Sequence, residues 1–320
     1  MKTQRSKTLK LAIAAAAALL TPMLAGAQPH KIWRSAHGGQ PAAATPASSQ
    51  YRFVTIDAPG PPYTDAVGVN NSGLVSGFYL DAAGNIHGFL WQDGALRTVD
   101  YPGDSVTLFT GVNDGGLVIL SHGDVTTLHA ATYDTRRATW TALPDIPGYP
   151  LNLGQGIGNS GVGTGAACKG NLFDNFNCVG WTWDEGAYSF FTAPQADQAL
   201  GGTYPFSINS RGQVVGWFED ASSVSHGFLK DGRRFTTIDV PAASNTEALG
   251  INGSDEIAGT YYDQAGNPHG YVQDRHGQFT TVDPPGAVAT SIECIDDRGD
   301  LAGQFIDASG VNHGFVAFKK

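Results

Sequence analysis

Short runs of alternating apolar and polar residues recur along most of the chain, separated by clusters of Gly, Asn, Asp and Ser. Alternation with a period of two predicts half-buried strands, and no stretch sustains the 3.6-residue period of a helix. One run, Phe235-Thr236-Thr237-Ile238-Asp239, returns as Phe279-Thr280-Thr281-Val282-Asp283, Phe53-Val54-Thr55-Ile56-Asp57 and Leu96-Arg97-Thr98-Val99-Asp100. Weaker copies are Trp140-Thr141-Ala142-Leu143 and Phe190-Phe191-Thr192-Ala193. A second run follows each: Gly68-Val69-Asn70, Gly111-Val112-Asn113, Gly156-Ile157-Gly158, Ser207-Ile208-Asn209, Gly250-Ile251-Asn252 and Cys294-Ile295-Asp296. The third residues of these are spaced 43, 45, 51, 43 and 44 apart.

A third run reads Leu74-Val75-Ser76-Gly77-Phe78-Tyr79 and Ile257-Ala258-Gly259-Thr260-Tyr261. The fourth is His87-Gly88-Phe89, His226-Gly227-Phe228, His269-Gly270-Tyr271 and His313-Gly314-Phe315. The second unit carries His129-Ala130-Ala131 there, and the third Val179-Gly180-Trp181, without the His. Turn clusters such as Asn70-Asn71-Ser72-Gly73 tolerate the positive φ that tight hairpins need. Six units of four short strands predict an all-β fold, a six-bladed β-propeller over residues 51–320.

The phase of the repeat decides how the array ends. The repeats begin with the 51–57 strand but stop at His313–Phe318, so the last unit lacks its fourth strand. Residues 51–57 are predicted to complete it, which removes the exposed edges of an open array. A tandem sandwich pair or an open β-solenoid is the alternative. The pattern HGFLW, FTTID, G-I-N and G-x-Y resembles the HAF-type extracellular repeat family over about residues 51–318, with Gly where that family often has Ala after the His. The resemblance implies an exported bacterial repeat protein and carries no activity or site residue.

The N-terminus agrees with export. Lys2, Arg5, Lys7 and Lys10 precede an apolar stretch from Leu11 to Leu24, and Ala25-Gly26-Ala27 offers a cleavage site. Residues 1–27 are predicted to be a signal peptide, the alternative being an uncleaved anchor; the apolar run is shorter than the ~20 residues of a membrane span. Residues 28–50, rich in Pro, Ala and Ser, read as a linker. The mature protein is expected in the periplasm or outside the cell, as a monomer. There Cys168 and Cys178 are expected to form a disulfide, with Cys294 left as a buried, inert thiol.

The net charge of −10 speaks against nucleic acid and against docking on anionic lipid. No membrane insertion of the mature chain is expected. The chain holds no G-x-S-x-G, H-E-x-x-H, Walker loop or C-x-x-C. If the FTTID strand is outermost and the G-I-N strand lines the axis, the longer loops share one face, where binding is expected to concentrate. Asp81, Asp220, Asp263 and Asp307 precede their His by six residues there, and Asp57, Asp100, Asp239 and Asp283 end the outer strands. Residues used in most units serve the fold, so His87, His226, His269 and His313 and their Asp partners are read as structural; a catalytic or metal role is the alternative. No cofactor is expected, with Ca²⁺ as the alternative.

Irregular positions are better candidates for ligand contact. Tyr63, Tyr101, Tyr149 and Tyr204 in the inter-unit loops, and Phe173 and Phe176 between the two cysteines, are expected to offer rings for stacking, with packing between units as the alternative. The leading reading is a non-enzymatic module that binds a glycan or protein on the long-loop face. A carbohydrate-active lyase or hydrolase with a site near the axis is the second reading, and a scaffold without a small ligand the third.

Overall fold

The computed structural model describes residues 47–60, 63–171, 174–199 and 201–320, so the expected signal peptide and most of the linker lie outside the described residues. Apart from a 3-10 turn at Ala47–Gln50, the elements are strands. β1 (Tyr51–Ile56) opens the fold. β2 (Thr64–Val69), β3 (Val75–Leu80), β4 (Ile86–Gln92) and β5 (Ala95–Thr98) form the first antiparallel meander. The second comprises β6 (Val106–Val112), β7 (Leu117–Gly123), β8 (Leu128–Asp134) and β9 (Thr139–Ala142). The third comprises β10 (Leu151–Ile157), β11 (Gly163–Asn171), β12 (Asp174–Asp184) and β13 (Ala187–Phe191). Single parallel pairings, Ile86 with Val106 and Leu128 with Leu151, join these three into one twelve-stranded sheet.

Separate four-stranded sheets follow. One holds β14 (Thr203–Ile208), β15 (Val214–Glu219), β16 (Ser225–Asp231) and β17 (Arg234–Ile238). The next holds β18 (Asn245–Ile251), β19 (Ile257–Tyr262), β20 (Pro268–Gln273) and β21 (Phe279–Thr281). The last holds β22 (Ala287–Ile295), β23 (Leu301–Asp307) and β24 (Asn312–Lys319), and its fourth strand is β1, paired antiparallel with β24 from Tyr51–Lys319 to Ile56–Gly314. The fold is that of a β-propeller, with the FTTID strand outermost in each meander.

The innermost strands β2, β6, β10, β14, β18 and β22 pack each against the next, and β22 packs against β2. Close approach there explains the glycine of the G-I-N run. A Cβ on Gly156 would stand 2.6 Å from the Phe206 carbonyl oxygen, and one on Gly250 2.8 Å from the Ile295 nitrogen. Side chains between neighbouring sheets form the core. Val69, Val75 and Phe89 of the first meander meet Ile56, Ala302 and Val316 of the last sheet. Another apolar cluster runs along the axis: Val67, Leu108, Leu153, Phe206 and Leu249, capped by Tyr63 and Tyr204.

The chain ends are further tied by side chains. The Asn312 side-chain Oδ1 accepts the Thr64 backbone amide at 3.1 Å, and the Gln304 side-chain amide donates to Asp65 at 3.1 Å. At the tight-turn end, the amide of Asp297 donates to Asn71 at 3.0 Å, and Asn71 donates to Asp114 at 2.7 Å.

Candidate functional site

On the long-loop face, the third strand of four units begins with a histidine held between two carboxylates. His87 Nδ1 meets Asp100 at 2.9 Å, and its Nε2 meets Asp81 at 3.3 Å. His313 is held the same way by Asp57 at 2.8 Å and Asp307 at 3.4 Å. His226 meets Asp239 and Asp220 at 2.9 and 3.6 Å; His269 meets Asp283 and Asp263 at 2.9 and 3.8 Å. Tyr79, Phe218, Tyr261 and Phe305 stack on these four rings.

Each of the preceding Asp residues also ties its own hairpin. Asp307 accepts the Ser309 hydroxyl and the Val311 amide, which pull its carboxyl down to about 2. Burial alone would lower the His313 pKa, but hydrogen bonds to Asp57 and Asp307 outweigh it and raise it. In His87 and His313 both ring nitrogens are hydrogen-bonded to carboxylates, and in His226 and His269 Nδ1 is bonded while Nε2 faces a carboxylate 3.6 and 3.8 Å away, so each ring is oriented by its own unit. Among the described residues, no group of three His, Cys, Asp or Glu is arranged to hold a metal ion.

The expected aromatic platform is corrected in part. Tyr63 and Tyr204 are buried, Tyr63 against Phe78 and Tyr204 stacked on Trp217 at 4.1 Å. They close the apolar end of the axis, so they offer no ring to a ligand. Tyr101 is half-buried and stacks on His122 at 3.5 Å. Tyr149 is half-buried and takes the Lys169 ammonium over its ring at 5.4 Å. Phe173 and the side chain of Phe176 lie outside the described residues.

Tyr149 leads to the site. It joins Asp145, Ile146, Pro147, Val179, Tyr188 and Phe190 around an open groove of about 410 Å³. The loop after β9 supplies the first wall, and β12 and β13 of the third unit supply the second. The groove exists because this unit departs from the repeat. Val179 stands where other units carry the clamped His, and Phe190, paired with Trp181, stands where they carry Thr98, Thr237 and Thr281. Apolar atoms therefore replace a polar clamp, and Phe190 is left 52% exposed.

Tyr188 stacks beside Phe190 with ring centroids 5.9 Å apart. Its hydroxyl donates to the Pro144 carbonyl at 3.0 Å and accepts the Asn152 amide at 2.9 Å, which fixes the ring. Burial raises the pKa of that hydroxyl, so it stays neutral. Asp145 borders the groove as a largely exposed carboxylate, 2.6 Å from His129 Nδ1. Two fixed rings beside a hydrogen-bond acceptor match a ligand that has both an apolar face and hydroxyls.

Sequence reasoning passed over Tyr188, Phe190 and Asp145. Aligned by sequence, Phe190 falls against Phe235 and Phe279; the strand register shifts that copy by two residues, so that Tyr188 stands at the Phe235 position and Phe190 at the Thr237 position.

The Cys168–Cys178 disulfide pins the β11–β12 hairpin behind this groove, and both cysteines are fully buried. The remaining thiol, Cys294, points at the Val69 carbonyl at 3.8 Å, and burial pushes its pKa up to about 12. Thiol titration of the oxidised protein in denaturant should therefore count one thiol. Replacing both Cys168 and Cys178 by Ala should lower stability by about 2–3 kcal/mol. Three titratable thiols in exported protein would remove the disulfide from the account.

The axis also holds carboxyls. Asp65, Glu247 and Glu293 project from β2, β18 and β22 and are at most 3% exposed. Sealed from solvent, they do not meet a substrate from outside.

No family model matches the chain, and no curated protein matches it in sequence. Solved structures do resemble it. TolB from Acinetobacter baumannii is 11% identical with a TM-score of 0.55; the alignment covers 76% of this chain, which spans only 63% of that protein. A putative gluconolactonase is 13% identical over 87% of this chain and 94% of its own, with a TM-score of 0.53. The SapL1 lectin, solved in complex with alpha methyl fucoside, is 14% identical over 85% of this chain and 98% of its own, with a TM-score of 0.52. At these identities the likeness is one of fold, that of β-propeller proteins.

Proposed function

We propose that the protein is an exported six-bladed β-propeller, closed by its N-terminal strand, that binds a glycan without transforming it. The ring reading is supported by the β1–β24 pairing and by the contact of β22 with β2. Export is supported by the buried disulfide, which belongs to oxidising compartments.

The observation that carries the glycan reading is the groove of Tyr149, Tyr188 and Phe190 beside the Asp145 carboxylate. The apolar C–H face of a pyranose stacks on such rings, while its hydroxyls suit a carboxylate acceptor. The fucoside complex of SapL1 supports the reading only as a binding role seen on a related fold. A binding rather than a catalytic role is supported by the clamped histidines and the sealed axial carboxyls.

The test is a broad glycan array followed by calorimetry on the best ligand. Phe190→Thr installs the residue of the other units at an exposed position, so folding should be unaffected. Losing one stacking ring should weaken binding about tenfold, which corresponds to about 1.4 kcal/mol. A blank array, or equal affinity of the Phe190→Thr variant, would sink the glycan reading.

A further inference from the structure

At the tight-turn end of the axis the third unit carries Gly158, whereas in four of the six units an asparagine, Asn70, Asn113, Asn209 or Asn252, has two tasks. Its Oδ1 accepts amides of its own turn, as Asn70 does from Ser72 at 3.0 Å and Leu74 at 3.1 Å. Its Nδ2 donates to the backbone carbonyl of its counterpart in the next unit. Asn70 reaches Asn113 at 2.9 Å, Asn113 reaches Gly158 at 3.1 Å, Asn209 reaches Asn252 at 3.2 Å, and Asn252 reaches Asp296 at 3.0 Å.

The last unit carries Asp296 at this position. Its Oδ1 does the ordinary work, accepting Arg298 and Asp300 amides at 2.9 Å each. Its Oδ2 occupies the place of the missing Nδ2 and is buried without a hydrogen-bond partner, on a residue 5% exposed. The next unit round is the first, since Asp297 bonds Asn71 across this seam. The counterpart carbonyl is that of Asn70, which accepts the Gly73 amide at 2.8 Å. A carbonyl has a second lone pair, and in the Asn113 carbonyl that lone pair takes the neighbouring asparagine.

We infer that Asp296 is a proton-operated latch across the seam between the last unit and the first. Protonated, its Oδ2–H donates to the Asn70 carbonyl and completes the bond that asparagine makes elsewhere. Ionised, it sets a carboxylate oxygen against a carbonyl oxygen, and the seam loosens.

The surroundings suit that role. On its own turn Asp296 is faced by Asp300, Arg298 and Asp297, and Asp114 shares the mouth from the second unit. The amide of Lys319 on β24 donates to Asp300, and its ammonium pairs with Glu256. Burial first, then the Asp300 charge, raise the Asp296 pKa to about 6, against the opposing amide bonds and Arg298. Asp296 has no contact with the groove, so the latch stands whether or not the ligand is a glycan.

The experiment compares hydrogen exchange of the β1 amides in the native protein and in Asp296→Asn, which installs the residue of four other units. Taking the ratio of the two rates cancels the intrinsic pH effect. The ratio should be near one at pH 5, where Asp296 donates. At pH 7.5 the native protein should exchange about fivefold faster, as loss of one hydrogen bond of about 1 kcal/mol implies. A ratio that does not change between the two pH values overturns the latch. So does an Asp296→Asn variant that exchanges faster than native at pH 7.5.

Discussion

Gly77→Leu is expected to cost about 3 kcal/mol or more, and Phe89→Ala is expected to cost less in that background than in the native protein. Gly77 and Phe89 are direct cross-strand partners on β3 and β4. A Cβ on Gly77 would meet the Phe89 ring at 2.6 Å and run into the Asp65 carbonyl oxygen. The same pairing of glycine with a large ring recurs as Gly165–Trp181, Gly216–Phe228, Gly259–Tyr271 and Gly303–Phe315.

The second unit inverts it. There the partners are Leu120 and Ala131, both fully buried. The pair keeps its summed volume while moving the bulk from one strand to the other, which dense packing between sheets demands. The second unit also spreads the irregularity of its inner strand over Phe109 to Val112, where the first unit needs only Ala66 to Gly68. That wider bulge makes room for a side chain at Leu120, and without it the coupling in the first unit covers only part of the two losses.

Phe89→Ala alone should cost about 3–5 kcal/mol. In denaturant melts the double variant should be more stable than the sum of the single losses by about 1–3 kcal/mol. Strictly additive losses would contradict the volume exchange.

This exchange was legible in the chain as His129-Ala130-Ala131 against His87-Gly88-Phe89, though as a degraded motif rather than a swap. Its compensation lies one strand earlier, and the strand register was needed to see it. The offset between the first and last repeats was legible for a simple reason: a missing strand at one end and a spare at the other can only be satisfied by pairing, and β1 does pair with β24.

The groove was harder. Asp145 and Tyr188 lie 43 residues apart in successive units, and only the stacking of the third unit beside the second brings them together. Tyr63 and Tyr204 misled because loop position was taken as exposure, whereas Tyr63 immediately precedes β2 and Tyr204 belongs to β14, and both rings are buried in the axial cluster. The inner strands hid their carboxyls for a similar reason. Asp65, in Thr64-Asp65-Ala66-Val67, occupies a position that is Leu108 and Leu153 in the following units, and nothing local marks it as buried.

Those carboxyls give the largest expected pH effect. Asp65, Glu247 and Glu293 belong to the first, fifth and last units and share the axial space next to the seam. Burial raises all three pKa values, and their mutual repulsion adds to it through Glu293. Glu247 moves from 4.5 to about 8 and Glu293 from 4.5 to about 7, although the Ser291 hydroxyl, 2.6 Å from Glu293, opposes part of that rise.

A carboxyl whose pKa is raised on folding binds more protons folded than unfolded. Its contribution is therefore full below the unfolded pKa and is lost as pH rises through the folded one. Between pH 5 and 8 the native protein should lose stability by about 1.4 kcal/mol per pH unit for each carboxyl the fold keeps protonated.

Glu247→Gln keeps the shape of the neutral side chain and removes one proton from that slope. The variant should match the native protein near pH 4.5 and exceed it by a few kcal/mol at pH 8. Urea melts across that range read the difference directly. Parallel stability curves would mean that Glu247 is ionised in the folded protein, with a cation or water reaching it. Because Glu247 lies among the inner strands and Asp296 at the turn mouth, the two effects separate: Glu247→Gln should change the slope up to about pH 8, while Asp296→Asn acts around pH 6 and on β1. Alkaline weakening at two depths follows from one cause, acidic groups of the first, fifth and last units kept neutral by burial.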